Sequence, residues 1–306
     1  MRLQDLITKP STRAFFEEAR KTPGYSKFDL LHGYIYARWS YLYIAIGTGE
    51  HPLSKWFARI SGLFNRLVTR RKPEEDPAGE IGFADTYHGK AVPLHAAEQL
   101  VSIHDELHIH DLEKVIPYKR ARSIIMKNPG RIVALECPCR AAREHPCYPM
   151  DVCLIVGDPF ASFVREHEPR RSRWLTRQEA IEILRAEDER GHVHHAFFKD
   201  AMLDRFYAIC NCCKCCCGAM QAHRNGVPML ASSGYITQVD ADLCIGCGDC
   251  NFYCQFEALE LVDGLNTVLY QKCMGCGVCT SKCTQGALSL VRDEAKGLPL
   301  EVLSLA

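Results

Sequence analysis

The cysteine content constrains this chain more than any other feature. Of the 306 residues, 18 are cysteines, and six of these lie within the eight positions of CNCCKCCC, residues 210–217. Thiols at this density are explained by disulfide bonds, by zinc or by iron–sulfur clusters. The rest of the sequence has to decide between the three.

The N-terminal segment MRLQDLITKPSTRAFF bears on the compartment and therefore on the disulfide alternative. It lacks the apolar run and the small-residue cleavage site of a secretory signal. No window of eighteen residues is free of charge, so we predict no membrane-spanning helix. We expect a cytoplasmic protein, with a peripheral position at the inner face of the membrane left open. Because cytoplasmic thiols stay reduced, disulfides are disfavoured and metal ligation is expected.

The overall composition excludes two further classes of protein. The chain is 47% hydrophobic and 24% charged, which predicts an ordinary buried core rather than disorder. Lysine plus arginine and aspartate plus glutamate balance at 37 each, so the basic excess typical of nucleic-acid-binding proteins is missing. No G-x-G-x-x-G follows a predicted strand, so we expect no NAD or flavin site.

Two segments near the C-terminus repeat the pattern C-x2-C-x2-C-x3-C. CIGCGDCNFYC begins at Cys244, and CMGCGVCTSKC begins at Cys273. Three cysteines at two-residue gaps let one loop reach three irons of a cubane cluster, while the fourth cysteine points to another cluster. Zinc ribbons also use C-x2-C pairs, but zinc does not explain a third cysteine at the same gap in both segments. The repeat therefore favours iron–sulfur chemistry.

Residues 236–293 resemble the bacterial two-cluster ferredoxins. The resemblance implies two 4Fe–4S clusters, each bound by three cysteines of one repeat and the last cysteine of the other. The implied sets are Cys244, Cys247, Cys250 and Cys283 for one cluster, and Cys273, Cys276, Cys279 and Cys254 for the other. The family usually has proline after the fourth cysteine, where this chain has Gln255 and Thr284. This departure bears on the local turn and the redox potential.

A second group of ten cysteines lies upstream of the repeat. Its members are Cys137, Cys139, Cys147 and Cys153, followed by Cys210, Cys212, Cys213, Cys215, Cys216 and Cys217. We expect one or two further 4Fe–4S clusters here, with zinc and free buried thiols as the alternatives. Because adjacent residues of an extended chain point to opposite sides, the two Cys-Cys pairs can serve two neighbouring clusters, or one cluster and a structural contact. Spacing alone does not assign each cysteine to a site.

The whole chain also resembles a known group of proteins. The C-x-C-R box, the C-N-C-C-x-C-C-C block and the C-terminal repeat together look like those of cysteine-rich 4Fe–4S ferredoxin-like proteins of anaerobes. This resemblance implies a class of protein and no substrate. The sequence Cys216-Cys217-Gly218 is similar to the CCG motif of heterodisulfide-reductase-type subunits, but lacks the downstream C-x2-C partner that this motif needs.

We predict an α+β fold in three regions. These are a helical N-terminal region at 1–80, a central α+β cysteine-rich domain at 81–235 and a two-cluster ferredoxin-like domain at 236–293, followed by a tail at 294–306. Helices are predicted at 94–107, 117–128 and 176–190, and a strand at 131–136. The last helix has the clearest signals, because Thr176 and Glu179 form a capping box and Gly191 suits its C-terminal end.

Residues 53–72 carry apolar side chains at helical spacing, with basic side chains mainly on the rest of the circumference. We expect this helix to pack on the protein's own core. The alternative is that residues 29–72 contact a membrane surface or a membrane complex. The following segment PEEDPAGE, residues 73–80, has the composition of a linker.

Several histidines and one arginine are further candidates for a functional role. His104 and His108 have the i, i+4 spacing of one helix face, with His110 beside them, and His192, His194 and His195 lie in a predicted strand with polar edges. We expect structural roles for both groups, with metal ligation or tuning of a cluster as the alternative. Arg140 either hydrogen-bonds to cluster sulfur or forms a surface salt bridge.

The function that this pattern predicts is electron transfer. We expect a carrier or redox-complex subunit, rather than a stand-alone enzyme, that relays single electrons between redox protein partners. The alternative is the iron–sulfur subunit of a reductase, heterodisulfide-reductase-like or membrane-associated, with a catalytic cluster in the central cysteine block.

Overall fold

A curled, mostly antiparallel sheet of eight strands forms the centre of the molecule. The computed structural model describes residues 9–54 and 82–305. The strands of this sheet are β1 Tyr87–Val92, β2 Leu107–Ile109, β3 Ile124–Leu135, β4 Cys153–Asp158, β5 Ser172–Leu175, β6 Val193–Lys199, β7 Arg205–Cys212 and β8 Leu230–Ala231. Their order is β2-β3-β4-β7-β6-β1-β8, and β5 also pairs with β3.

Helices cover both faces of this sheet. They are α1 Pro10–Lys21, α2 Lys27–Arg38, α3 Ser40–Gly47, α4 Phe83–Thr86, α5 Leu94–Ser102, α6 Pro138–Ala141, α7 Phe160–His167, α8 Arg177–Glu189, α9 Gly218–Arg224, α10 Asp249–Tyr253, α11 Val278–Lys282 and α12 Val302–Leu305. On one face, α1, α2 and α7 enclose a core that contains Phe15 and Phe163, with ring centroids 5.8 Å apart. On the other face, α5 and α8 enclose a core that contains Leu100 and Leu184. The cysteines buried in the central sheet belong to the first core.

The helix predicted at 176–190 is confirmed as α8. The hydroxyl of Thr176 accepts a hydrogen bond from the backbone N–H of Glu179, and the Glu179 carboxylate accepts one from the N–H of Thr176, which completes the capping box. Gly191 follows the helix at φ +79°, the left-handed conformation typical of a helix end. The predicted strand at 131–136 is the second half of β3.

The helix predicted at 117–128 is wrong, because β3 begins at Ile124. Ile124 and Met126 are buried at 0% and 1% exposure and alternate with less buried neighbours, so one face of an extended segment packs in the core. Pro129 lies where the register of β3 against β4 shifts, a bulge in which its missing N–H is tolerated. Pairing with both β2 and β4 outweighs the local helix-start signal at Pro117.

The helix predicted at 94–107 ends at Ser102. His104 and His108 therefore do not lie on one face of a helix. His104 lies beyond the end of α5, and His108 lies on β2. The side chains of His104, His108 and His110 are exposed. The predicted i, i+4 arrangement is therefore wrong.

The C-terminal region repeats one structural unit twice. Strand β9 Tyr235–Val239 pairs antiparallel with β12 Leu288–Arg292, and β10 Leu259–Val262 pairs with β11 Leu265–Val268. Helices α10 and α11 occupy equivalent positions in the two repeats. The segment that follows returns to the central domain, where Leu300 and Val302 are buried at 1% exposure beside α5. The predicted α+β class is confirmed, with N-terminal helices, a central sheet that carries cysteines and a C-terminal cysteine-rich region, whereas the bounds of the three domains stay a prediction.

Most of the predicted amphipathic helix at 53–72, and the whole linker at 73–80, lie outside the described residues. Within the described part, α2 leaves Phe28, Leu31 and Ile35 exposed on its surface. No helix of the described residues is long and apolar enough to cross a membrane. Contact of residues 29–72 with a membrane or a partner stays a prediction.

Candidate metal centres

The two cysteine repeats fold around glycines that cannot be replaced without a clash. Gly246 and Gly275, at φ +65° and +61°, occupy the same position in the two repeats. An added Cβ atom would lie 2.1 Å from the carbonyl oxygen of Gly264 in the first case and of Tyr235 in the second. The backbone therefore approaches so closely that only glycine fits, and the cysteines of each repeat are held in a tight loop.

The cysteines of the two repeats approach one another crosswise. Cys250 interacts electrostatically with Cys247 of its own repeat and with Cys283 of the other. Cys276 likewise interacts with Cys279 of its own repeat and with Cys254 of the other. The last cysteine of each repeat thus lies near cysteines of the other repeat, as crosswise ligation of two cubane clusters would require, and the ligand sets stay a prediction.

Hydrogen-bond donors surround these sulfurs. The backbone N–H of Ala258 donates to Cys254 Sγ at 3.2 Å, and the equivalent N–H of Ala287 donates to Cys283 Sγ at 3.3 Å. The side-chain amide of Asn266 donates to Cys250 Sγ at 3.0 Å. Such bonds stabilise negative charge on sulfur, so this loop suits thiolates that bind a metal cluster.

Burial alone would keep several of these cysteines protonated. It raises the pKa of Cys250 to about 11 and that of Cys279 to about 12. A bound metal cation reverses this preference, because it deprotonates the thiol that coordinates it. The donors and the glycine loops together make this set of cysteines fit two 4Fe–4S clusters.

Four of the ten upstream cysteines converge on one point near the surface. We call Cys147, Cys213, Cys215 and Cys216 the four-thiol group; their Sγ atoms all lie within 4.8 Å of one another. The sulfurs of a tetrahedral site with metal–sulfur bonds of ~2.3 Å are ~3.8 Å apart. The group is therefore compact enough for a single tetrahedral ion. Burial raises the pKa values of Cys147 and Cys215 to about 11, so a metal would have to displace their protons.

The other six cysteines form a second, larger group that the strand ends bring together. We call it the thiol ring: Cys137, Cys139, Cys153, Cys210, Cys212 and Cys217. Cys153 at the start of β4 is the cross-strand partner of Cys210 on β7, and Cys137 directly follows Glu136 at the end of β3. Cys139 lies on α6, and Cys217 is the N-cap of α9. The pairing of the strands therefore determines which cysteines lie close together.

Interactions between neighbouring thiols arrange the six in a ring. Cys137 contacts Cys139 and Cys153, and Cys153 in turn contacts Cys210. On the other side, Cys217 contacts Cys139, and its sulfur lies 3.3 Å from that of Cys212. Cys210 and Cys212 close the ring because they are two residues apart on one strand and share a face. The ring borders a cavity of about 70 Å³ whose other walls include Tyr36, Phe160 and Tyr207.

Arg140 also lines this cavity, as a buried cation. Its guanidinium donates to Glu187 at 2.8 Å and to the Asn211 carbonyl at 3.2 Å, and both charged side chains are 1% exposed. His192 Nδ1 lies 2.6 Å from the same carboxylate. The ion pair is buried, so its expected place on the surface is wrong. The electrostatic influence of Arg140 reaches Cys137 and Cys213, one in each cysteine group.

The histidines of β6 are structural parts of the core. Strand β6 lies between β1 and β7 and is buried throughout, so the predicted polar edges are wrong. His194 Nδ1 lies 2.6 Å from the Asn211 side-chain oxygen. Burial lowers the pKa of His195 to about 3, which keeps this ring neutral.

One contact between the C-terminal repeat and the central cysteines was not predicted from the sequence. The side chain of Gln255, which follows Cys254, accepts a hydrogen bond from the backbone N–H of Lys214 at 2.9 Å. Lys214 lies between Cys213 and Cys215 of the four-thiol group. Glutamine at a position that usually holds proline was the available signal, because proline has no side-chain acceptor.

Comparison with known proteins agrees with the geometry of the repeat. No curated protein matches the chain, and no solved structure matches it either. A family model, that of the 4Fe-4S dicluster domain, matches residues 243–288, a span that holds all eight cysteines of the two repeats. The match implies two 4Fe–4S clusters, iron–sulfur electron transfer and redox partners. The C-terminal region of this chain, at residues 243–288, is therefore a 4Fe–4S dicluster domain.

Proposed function

We propose that this protein relays single electrons between redox partners, through the two clusters of its dicluster domain and a metal centre among the upstream cysteines. One cluster is bound by Cys244, Cys247, Cys250 and Cys283, and the other by Cys273, Cys276, Cys279 and Cys254. The crosswise approach of Cys283 and Cys254 supports this assignment. The chain supplies burial and N–H···S bonds, which set the potentials of the clusters.

The hydrogen bond between Gln255 and Lys214 is the observation that carries the proposal. Cys254 is covalently joined to Gln255, and Lys214 is covalently joined to both Cys213 and Cys215. A path of covalent bonds with a single hydrogen bond therefore runs from a ligand of the dicluster domain to the four-thiol group. An electron that enters at either end has a direct route to the other.

Further contacts hold this junction in place. The Gln255 amide donates to the Gly191 carbonyl at 2.8 Å, and the Lys282 ammonium donates to the Glu189 carbonyl at 2.8 Å. Both acceptors lie at the C-terminal end of α8, so the dicluster domain is fixed against the central domain at two points. A fixed distance between centres is what a carrier with several centres needs.

Metal analysis and EPR of the anaerobically purified, full-length protein test the proposal. We expect at least about eight irons and matching acid-labile sulfide per chain, with the interacting EPR signal of a cluster pair upon stepwise reduction. Replacing Cys147 and Cys215 by serine should remove one metal ion and leave the cluster-pair signal unchanged. A protein without iron, or one whose clusters cannot be reduced and reoxidised, would refute it.

The cavity beside the thiol ring favours a second candidate function, that of a reductase subunit. Its aromatic walls adjoin six thiols, as expected if a small substrate approached a catalytic cluster. Addition of small disulfides to the reduced protein distinguishes the two functions. A pure carrier shows no change in its EPR spectrum, whereas a catalytic cluster is reoxidised and the disulfide is consumed.

A further inference from the structure

We propose that the thiol ring is the ligand set of one polynuclear iron–sulfur cluster, larger than a cubane and separate from the metal site of the four-thiol group. All six ring cysteines, Cys137, Cys139, Cys153, Cys210, Cys212 and Cys217, are its ligands. The inference rests on the proposed function in one respect, because it requires that this chain receives iron–sulfur clusters.

The width of the ring excludes a single metal ion. Among the described residues, the four-thiol group is the one set of three or more ligand atoms that all lie within 4.8 Å of one another. No three sulfurs of the ring meet that limit, and neither do any three in the dicluster domain. A single ion holds its sulfurs ~3.8 Å apart, whereas a cluster holds them farther apart because several irons lie between them. Neighbouring ring sulfurs can be close, as Cys217 Sγ and Cys212 Sγ are at 3.3 Å, but no third ring sulfur joins such a pair within the limit for a single ion.

The number of thiols points to more than four irons. Each iron of a cubane takes one cysteine, so a cubane uses four thiolates and would leave two of the six ring thiols over. The contacts offer no natural division into four and two, because each thiol interacts with a neighbour on either side in the ring. All six also line the same cavity, at whose edge Cys213 and Cys216 of the four-thiol group lie as well. They form one site.

The charge balance of the cavity is compatible with a metal cluster. Arg140 is the one charged side chain among the described residues that line it, and the Glu187 carboxylate neutralises that charge. Cys137, Cys153, Cys212 and Cys217 are at most 7% exposed. Thiolates buried this deeply without a cation would be strongly unfavourable, and several irons supply the missing positive charge.

Two Cys-Cys pairs join the ring to the four-thiol group. Cys212 and Cys217 belong to the ring, whereas the adjacent Cys213 and Cys216 belong to the four-thiol group. Neighbouring residues thus point to different sites, as the alternation of side chains allows. The ring therefore lies at the inner end of the path that begins at Cys254 and passes through the four-thiol group.

Metal analysis of the full-length, anaerobically purified wild-type protein is the first test. Eight irons belong to the dicluster domain and the four-thiol group holds up to one more, so a ring cluster larger than a cubane raises the total above about thirteen irons per chain, with sulfide in proportion. Mössbauer spectra of the ⁵⁷Fe-labelled protein should then contain a component beyond those of the cubane pair. A total of about thirteen irons or fewer overturns the proposal without any variant. If the cubane pair itself is missing, it is the proposed function that fails.

Matched serine variants assign the additional iron to the ring. Cys153→Ser with Cys210→Ser should abolish the extra component and leave the cubane-pair signal, whereas Cys147→Ser with Cys215→Ser should retain the extra component. Near-ultraviolet and far-ultraviolet circular dichroism check that both variants fold. The proposal is overturned if the second pair of substitutions removes the extra iron while the first does not. Should the ring variant fail to fold, the wild-type iron total and Mössbauer spectrum still decide.

Discussion

The side-chain oxygen of Gln255 accepts a hydrogen bond from the backbone N–H of Lys214 at 2.9 Å, which links the dicluster domain to the four-thiol group. Replacing Gln255 by leucine should therefore slow electron exchange between the dicluster clusters and the upstream centre several-fold, while iron content stays unchanged. Freeze-quench EPR after mixing with a reductant measures the order and rate at which the centres are reduced. Thr284, the exposed equivalent in the second repeat, provides the control Thr284→Val. Equal rates in the two variants would contradict the role of this bond.

Single substitutions should change the redox potential of one cluster of the dicluster domain without changing that of the other. Asn266 donates to Cys250 Sγ at 3.0 Å, and Thr237 Oγ1 lies 3.2 Å from Cys279 Sγ. A hydrogen bond to a cluster ligand stabilises the more negative, reduced state, so its loss lowers the potential. If each bond is worth ~1 kcal/mol, Asn266→Leu and Thr237→Val lower one cluster each by ~40 mV. An EPR-monitored redox titration in which both variants shift the same cluster would contradict the assignment.

Gly275→Ala and Gly286→Ala form a matched pair of substitutions. Both glycines have positive φ, but a Cβ atom at Gly275 would lie 2.1 Å from the Tyr235 carbonyl oxygen, whereas one at Gly286 meets nothing within 4 Å. Gly286→Ala should cost only the left-handed strain of ~1 kcal/mol and keep both clusters. Gly275→Ala should displace its loop and lose the iron bound there. Iron analysis after gel filtration compares them, and equal iron contents would show that the close approach is unimportant.

Removing one partner of the buried ion pair between Arg140 and Glu187 should destabilise the folded protein. Arg140→Met leaves the Glu187 carboxylate with only Arg190 and His192 as charged or polar partners, which is expected to lower the free energy of unfolding by ~3 kcal/mol. The control Arg173→Met removes a half-exposed partner of Asp151 and should change stability by less than ~1 kcal/mol. Anaerobic urea denaturation followed by circular dichroism measures both. A second comparison, Arg140→Met with Glu187→Gln, should recover part of the loss.

Because Lys90 is buried, the free energy of unfolding should rise with pH above about pH 7. Lys90 is 1% exposed on β1, and burial lowers its pKa to about 7 from 10.5. At pH values between 7 and 10.5, the unfolded chain binds a proton at Lys90 that the folded chain does not. The loss of folding stability caused by burying the charged lysine is therefore largest at pH 7 and below, and it disappears above pH 10.5. The neutral variant Lys90→Met should be more stable by roughly 5 kcal/mol at pH 7, and this advantage should shrink by up to ~1.4 kcal/mol per pH unit as pH rises.

Urea denaturation at several pH values between 7 and 9 measures this difference. The exposed Lys272 provides the control substitution Lys272→Met. An advantage of Lys90→Met that does not change with pH would mean that the lysine stays charged in the folded protein.

Features encoded in short stretches of sequence were predictable. The C-x2-C-x2-C-x3-C repeats identified the dicluster domain, because the ligands of a cluster come from a loop whose spacing is fixed by the size of the cubane. The boundaries of α8 were also predictable, since Thr176, Glu179 and Gly191 satisfy the helix ends locally. By contrast, the segment before Pro129 carried a helix-start signal and became β3, because its partners β2 and β4 are remote in sequence.

The sequence by itself determined that the chain binds iron–sulfur clusters in its C-terminal region and that ten further thiols lie upstream. Only the tertiary structure divided those ten into a group of four and a ring of six. The reason is that strand pairing, not spacing, brings Cys153 beside Cys210 across 56 intervening positions and places Cys137 next to Cys153. Likewise, the side chain of Gln255 reaches Lys214 only because the dicluster domain packs on α8. That contact joins segments that are distant in sequence, so no local pattern predicts it.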